Sequence, residues 1–568
     1  VRRGSSRWAG AAAVLAAIAV AVVVVLGTAS GDTSVPAHRA AQADPAHHAA
    51  DAAHHAADPA DHARGPAHHA AGLAHHARGP ARHQPGRSAH RNGRRHPRAV
   101  VAPASLSIGS AAVSAAVPPG FVGLSMEYRG FAALAGTDPK AVDPVFEQLL
   151  RDISPDQSGV LRIGGDSSDW SWYPVPHMAQ PPGVKYDLTP ALLGSMRAVA
   201  GAVNTRLILG LNLEADSPRI AAAEADAMVS RIGAGSIDAL ELGNEPELYG
   251  SFGWYKSPTT GLQVPGRPRG YDFAGYQSDF TRFARSLPAA PLAGPSSGGP
   301  EFLANLGSFL ASEPKVRLAT VHAYPLKHCT RSQVVTMADL LSNEASHGLA
   351  ETIAPYEAAA AAHGVPLRID EMNAVSCGGY RGVSGAYGSA LWMLDTLFEM
   401  AKLGINGINI HTVPKTINEI LGPSFTGGHW QIKVHPEFYG MVMFAQAAPP
   451  GSRLLAVSGA PQAGVKVWAT QSTDNKIRVV LINKNVDGSL IVHLEMTGES
   501  GPASVEQLLA PGVDATTGIT LGGQTFGSET STGLLAGPPD TSTLLPAGGT
   551  FSVTLPAASA TLLTLPAG

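Results

Sequence analysis

Cysteine is almost missing from this chain: 568 residues contain two, Cys329 and Cys377. That excludes a disulfide-dense scaffold and a cysteine-built zinc cluster, and leaves room for one bridge. Neither sign of charge prevails. The formal net charge is -4, so composition makes no case for nucleic acid or an anionic membrane as a general partner. A glycine-rich phosphate loop opening a helix is also absent, which ranks a doubly wound dinucleotide-type sheet low. The length calls for two folded domains and a tail.

What is present starts with a basic, then apolar, N-terminus. Arg2, Arg3 and Arg7 precede an unbroken apolar and small-residue run from Ala9 to Leu26. This is the export pattern. Residues 1–35 read as a signal peptide, with small residues around Thr28 to Ser30 for cleavage, or as an uncleaved N-terminal membrane anchor. Both readings place the remainder outside the cytoplasm, secreted or at the cell surface. Residues 36–100 form an Ala/His/Pro-rich stretch with His-His pairs at 47–48, 54–55, 68–69 and 75–76. Without aromatic or β-branched residues over Pro36–Arg98 it cannot build a core, and a disordered hydrated linker is favoured over metal binding through paired imidazoles.

Beyond residue 100 the texture is that of a folded protein. Apolar runs of strand length fall at Phe121–Tyr128, Val160–Ile163, Arg206–Leu213, Ala239–Gly243, Pro291–Pro295, Leu318–His322, Leu367–Asp370 and Gly407–His411. Most are continuous rather than alternating, as strands buried on both faces are, and helical stretches such as Gly388–Leu403 lie between them. This is the order of a (β/α)8 TIM barrel over residues 118–448. After about residue 449 short, often alternating strands (Val465–Gln471, Lys476–Asn483, Leu490–Met496, Phe551–Leu555) predict a C-terminal all-β sandwich, with residues 101–117 as a strand joining it from the N-terminal side.

The chemistry-bearing residues follow the barrel strands, at the end where such barrels build active sites. Asn244-Glu245-Pro246 comes after the fourth strand, and Glu371 sits in Arg368-Ile-Asp-Glu-Met-Asn373 at the end of the seventh. Hydrolysis of a glycosidic bond needs one carboxylic acid for the departing oxygen and a second carboxylate to attack or activate water. Strands four and seven face each other across a barrel mouth, so Glu245 and Glu371 can flank one such bond. His322-Ala-Tyr324 ends strand six, where Tyr324 can donate to Glu371. Glu127 and His411, ending strands one and eight, are sugar-hydroxyl or plain rim residues in equal measure. Trp170, Trp172, Tyr173, Trp254 and Trp430 are more often packing than stacking partners. The two cysteines lie beyond neighbouring strands six and seven. Cys329–Cys377 is expected as a disulfide in an exported chain, against two free thiols as the alternative.

Leu161-Arg-Ile-Gly-Gly-Asp-Ser-Ser-Asp-Trp170, Gly243-Asn-Glu-Pro246, His322-Ala-Tyr324 and Glu371-Met-Asn-Ala-Val-Ser-Cys-Gly-Gly379 together resemble glycoside hydrolase family 79, the β-glucuronidases and heparanases, over about residues 104–568. The resemblance implies Glu245 as acid/base, Glu371 as nucleophile, Asn244 at the 2-hydroxyl, Asp169 at other sugar hydroxyls and Tyr324 beside the nucleophile. It also implies that backbone N–H groups of Gly378 and Gly379 hold a glucuronate carboxylate. Some members carry a Tyr in that loop where Ser376 and Cys377 stand here, with Arg381 and Lys415 as substitutes to consider. The expectation is a retaining, exo-acting β-glucuronidase-like enzyme that binds a carbohydrate and needs no metal or other cofactor. The rivals are a neutral-sugar glycosidase such as a xylosidase, or a non-catalytic glycan-binding surface protein.

Overall fold

The computed structural model describes residues 104–496 and 501–566. The segments expected as a leader or anchor and as a His-rich linker lie outside the described residues. Among the described residues no helix is long and apolar enough to cross a membrane.

Each expected barrel run forms a strand: β1 Val122–Glu127, β2 Gly159–Gly164, β3 Thr205–Leu211, β4 Ile237–Leu242, β5 Leu292–Ser297, β6 Val316–Ala323, β7 Leu367–Met372 and β8 Gly407–His411. They pair in parallel in chain order, and β8 returns to β1 to close the barrel. The reason is in the side chains. Every residue of β5, β7 and β8 is buried, as a strand between a filled interior and a ring of helices must be.

Three helices shape the active face and the junction with the C-terminal domain: α1 Leu349–Ala362, α2 Tyr387–Leu403 and α3 Pro436–Ala447. Almost all of α2 is buried, and its sequence is apolar nearly all round because it is covered on several sides. It meets α3 closely at Gly440, where a Cβ would come 2.3 Å from the Ala390 carbonyl oxygen.

The C-terminal domain is built from β9 Arg453–Ser458, β10 Val465–Gln471, β11 Ile477–Asn483, β12 Leu490–Met496, β13 Ala503–Leu509, β14 Thr550–Leu555 and β15 Ser559–Leu565. The strand Ala104–Ala112 joins it, antiparallel to β9 and parallel to β12. Its hydrogen bonding is continuous from one half to the other, so a single curled sheet supplies both layers. Leu106, Val479, Leu481, Leu494, Phe551, Val553 and Leu563 fill the space between.

The β domain is fastened to the barrel through α2. The carboxylate of Asp395 accepts from Lys484 Nζ (2.6 Å), Trp468 Nε1 (2.9 Å) and Ser346 Oγ (2.6 Å). Burial alone would raise this carboxyl, but the ammonium groups of Lys484 and Lys466 hold it below its ordinary value. Trp468 also stacks on Phe398, with centroids 5.6 Å apart. On the barrel's active face Cys329 and Cys377 are disulfide-bonded, Cα atoms 5.2 Å apart, tying the loop after β6 to the loop after β7.

Candidate active site

A fully buried guanidinium organises the mouth. Arg162, on β2, donates from Nε to Glu241 Oε2 (2.8 Å) and lies 3.3 Å from Asp370 Oδ2. Its Nη1 donates to Glu371 Oε2 (2.7 Å) and its Nη2 to Asn244 Oδ1 (2.9 Å) and Ser296 Oγ (3.1 Å). An unpaired cation at this depth would be very costly, and the fork of donors is what allows one residue to satisfy partners on β4, β5 and β7 together. Burial pushes Glu241 up to about 8, whereas for Asp370 the charges of Arg162 and His322 outweigh burial and hold it below the usual carboxylate range.

Glu371 is therefore held from both oxygens. Arg162 takes Oε2, and the Tyr324 hydroxyl donates to Oε1 at 2.9 Å. Opposite it, Glu245 sits in the left-handed region (φ 45°, ψ 54°), and its N–H donates to the Ser296 carbonyl at 2.8 Å. A non-glycine residue held there is strained, and such strain concentrates where a side chain must be aimed. Glu245 Oε1 is 3.0 Å from His322 Nδ1. Burial pulls the His322 imidazole down, but Glu371, Asp370 and Glu245 outweigh it and hold the ring well above its ordinary pKa.

One carboxylate oxygen of each glutamate and one ring nitrogen of His322 all lie within 4.8 Å of one another. That is also a spacing at which three groups can hold a metal ion. Arg162 and Tyr324 already neutralise and orient Glu371, so the donor set favours a carboxylate pair working on an organic substrate.

The remaining expected residues are distributed unevenly around this pair. Asn244 lies between them and the aspartate-rich loop, with Nδ2 donating to Asp166 Oδ1 at 3.2 Å. Asp169 borders the same small pocket as Asp166, Asn244 and Glu245, but both its oxygens are already engaged. Its Oδ1 accepts the N–H groups of Leu213 and Glu214 (both 2.9 Å), and its Oδ2 accepts Tyr249 OH (2.6 Å) and Asn244 N (3.2 Å). It fixes the chain after β3 and β4. Asp166, which sequence reasoning passed over, is the aspartate nearer the pair. Burial, then the charges of Glu245 and Glu371, push it up to about 8. Among the described residues its Oδ2 is buried without a protein partner. Glu127 Oε2 accepts the Ser167 N–H (2.7 Å), and burial and Asp166 push this carboxyl up to about 7. His411 faces Glu127 Oε1 at 3.9 Å through Nε2 and contacts Ser125 Oγ (3.0 Å) through Nδ1.

Trp170, Trp172 and Trp254 form one apolar cluster with Val175, Val184 and Ile220. Trp170 and Trp254 also border a small pocket beside Asp166, and Lys185 Nζ lies 3.4 Å from the Trp170 ring centroid. Tyr173 lies under Arg231 and Trp430 packs on Phe425. Gly378 and Gly379 have φ of 86° and 92°, and a Cβ on Gly379 would come 2.4 Å from Asn418 Oδ1. Among the described residues neither N–H donates to a protein group. Arg381 and Lys415 are exposed and border neither pocket at the catalytic pair.

With this geometry in place, residues 467–562 match the glycosyl hydrolase family 79 C-terminal beta domain. It is a glycoside hydrolase carrying the family 79 β domain. The hydrolase is 22% identical, over 521 residues, to a β-glucuronidase of Neurospora crassa, spanning 76% of this chain and 88% of that one. Its fold is shared with a 4-O-α-L-rhamnosyl-β-D-glucuronidase of Fusarium oxysporum 12S, solved with Rha-GlcA (TM-score 0.64, 22% identity, 81% of this chain and 100% of that one). A more distant fold relative is the α-L-arabinofuranosidase of Thermotoga maritima (TM-score 0.58, 12% identity, 81% of this chain and 99% of that one).

Proposed function

We propose that this hydrolase is a retaining, exo-acting β-glucuronidase. The observation that carries the proposal is the approach of Glu245 and Glu371 to within 4.8 Å. Carboxyl groups about 5–5.5 Å apart leave no room for a water between the second carboxylate and the sugar, so that carboxylate attacks directly. Glu371, kept ionised and aimed by Arg162 and Tyr324, attacks the anomeric carbon while Glu245 protonates the departing oxygen. Glu245 then takes a proton from water, which displaces Glu371 and releases the sugar with its β configuration kept.

The choice of glucuronate draws on the likeness to a β-glucuronidase and on the fold shared with the rhamnosyl-glucuronidase. Two features of the site favour it. The N–H groups at Gly378 and Gly379 offer donors for a sugar carboxylate. Below neutral pH the raised carboxyls of Asp166 and Glu127 are uncharged, so they donate to sugar hydroxyls without repelling an anion. The basic, then apolar, N-terminus and the disulfide favour a place outside the cytoplasm, with the His-rich stretch as spacer.

A panel of aryl β-glycosides tests the substrate. The glucuronide should exceed the xyloside and glucoside in kcat/KM; preference for the xyloside would reassign the enzyme to neutral sugars. Absence of turnover on every member would leave glycan binding without catalysis.

A further inference from the structure

The catalytic pair divides the mouth. Glu127, Asp166 and Asn244 gather on one side, which on the glycosidase reading takes the hydroxyls of the attacked sugar. On the other side, Glu245, His322, Tyr324 and Glu371 open into a cleft that continues over the loop after β5 and along α1. Pro300, Leu303, Leu349, Thr352, Ile353 and Tyr356 form its far wall. Glu245 borders this space, which on the glycosidase reading receives the departing group that it protonates.

We propose that this cleft is a leaving-group subsite for an apolar, ring-containing aglycone, an aryl or fused-ring group, in preference to a second sugar. The proposal rests on the glycosidase reading above. A second sugar would bring hydroxyls that need partners, and buried polar groups without partners are costly. The α1 side has few to offer, and the polar groups that border the cleft from the loops after β6 and β7 are Lys327 and Ser376. Leu303, Leu349 and Ile353 are buried side chains, and Tyr356 adds an aromatic ring. The Thr352 hydroxyl is already committed to the Gly348 carbonyl (3.0 Å). The carboxylate of Glu247, which also borders the cleft, accepts from Ser297 Oγ (2.8 Å) and the Gly298 N–H (2.9 Å) and so braces the loop after β5. The cleft measures about 210 Å³, and an apolar cavity of about 150 Å³ already admits benzene. Aliphatic walls around a ring-sized space reward removal of apolar surface from water and offer little to a hydroxylated ring.

The test uses the full-length enzyme and two β-glucuronides, 2-naphthyl and methyl, with Thr352→Trp to fill the cleft and Tyr356→Ala to widen it. Both residues lie on α1 rather than on the strand ends that carry the catalytic pair. In Thr352→Trp, kcat/KM for the naphthyl substrate should fall about tenfold, chiefly through KM, while the methyl substrate stays within about twofold. Tyr356→Ala should lower the naphthyl value and spare the methyl one. 2-Naphthol should inhibit the wild type competitively and lose potency in Thr352→Trp. Equal loss on both substrates, or no loss on either, would overturn the subsite. If the enzyme cleaves aryl xylosides instead of glucuronides, the glucuronate reading fails and the same comparison on naphthyl and methyl xylosides decides the subsite separately. Failure to cleave any glycoside overturns both.

Discussion

Tyr324→Phe is the sharpest single perturbation of the site. Phenylalanine keeps the ring and its packing and deletes the hydroxyl that donates to Glu371 Oε1 at 2.9 Å. Burial, then the charges of Glu371 and Glu245, hold the Tyr324 hydroxyl well above its ordinary pKa, so it remains a donor throughout any practical assay range. The other oxygen keeps its bond to Arg162 at 2.7 Å. A hydrogen bond to a charged group contributes about 1.5–3 kcal/mol, and about 1.4 kcal/mol is a factor of ten. The variant should therefore lose about 10- to 100-fold in kcat/KM on an aryl β-glucuronide. Because the lost bond favours the charged carboxylate, the acidic limb of the pH–rate profile should also move to higher pH. The assay is kcat/KM against pH for both proteins, with circular dichroism melts as the control for folding. A variant within about twofold of wild type, with its acidic limb in place, would refute the argument that Tyr324 keeps Glu371 ionised and aimed.

Other consequences concern pH and the framework. Asp166 (about 8), Glu127 (about 7) and Glu247 (about 7) are raised by burial and neighbouring carboxylates. The native state thus holds protons that the unfolded chain has lost between about pH 5 and pH 8, and stability should fall as pH rises through that window, read as a falling Tm. KM for a glucuronide should rise over the same window, and a flat profile would contradict the assignment. Lys484→Met strips the closest counter-charge from Asp395, whose side chain is fully buried. It should cost about 3 kcal/mol in stability, seen as a lower Tm, with kcat preserved in the molecules that remain folded. Replacing Cys329 and Cys377 together by serine frees the loop carrying Gly378 and Gly379. It should raise KM more than it lowers kcat, because a loop no longer pre-positioned loses more entropy on binding.

The barrel was legible because its strands are buried on both faces and so appear as continuous apolar runs, each bounded by polar or glycine-rich stretches. Glu245 and Glu371 were legible because each ends such a run on opposite sides of the mouth. The aspartates were not separable. Asp166 and Asp169 share one motif and one chemistry, and only the folded loop shows that Asp169 spends both oxygens on backbone N–H groups and Tyr249, while Asp166 Oδ2 is without a protein partner among the described residues. In the β domain, Val465–Gln471 and Leu490–Met496 stood out, while Arg453–Ser458, Ala503–Leu509 and Ser559–Leu565 did not. Arg453–Ser458 and Ala503–Leu509 are only partly buried, and their polar positions blur the period that marks a strand. The continuity of the curled sheet depends on those missed strands. Arg162 was part of a recognised motif, yet its partners come from strands far apart in the chain, so no local pattern showed that it joins them.

The roles proposed for Glu371, as nucleophile, and for Glu245, as acid and base, can be separated by trapping the glycosyl-enzyme. An aryl 2-deoxy-2-fluoro-β-glucuronide slows release of the covalent intermediate, so the wild-type enzyme incubated with it, digested and analysed by mass spectrometry gives the most direct answer. The double-displacement mechanism requires one added fluoroglucuronosyl group, on the peptide containing Glu371 and on that residue. An adduct on another side chain, or unlabelled Glu371 in an enzyme that turns over the parent glucuronide, would contradict it.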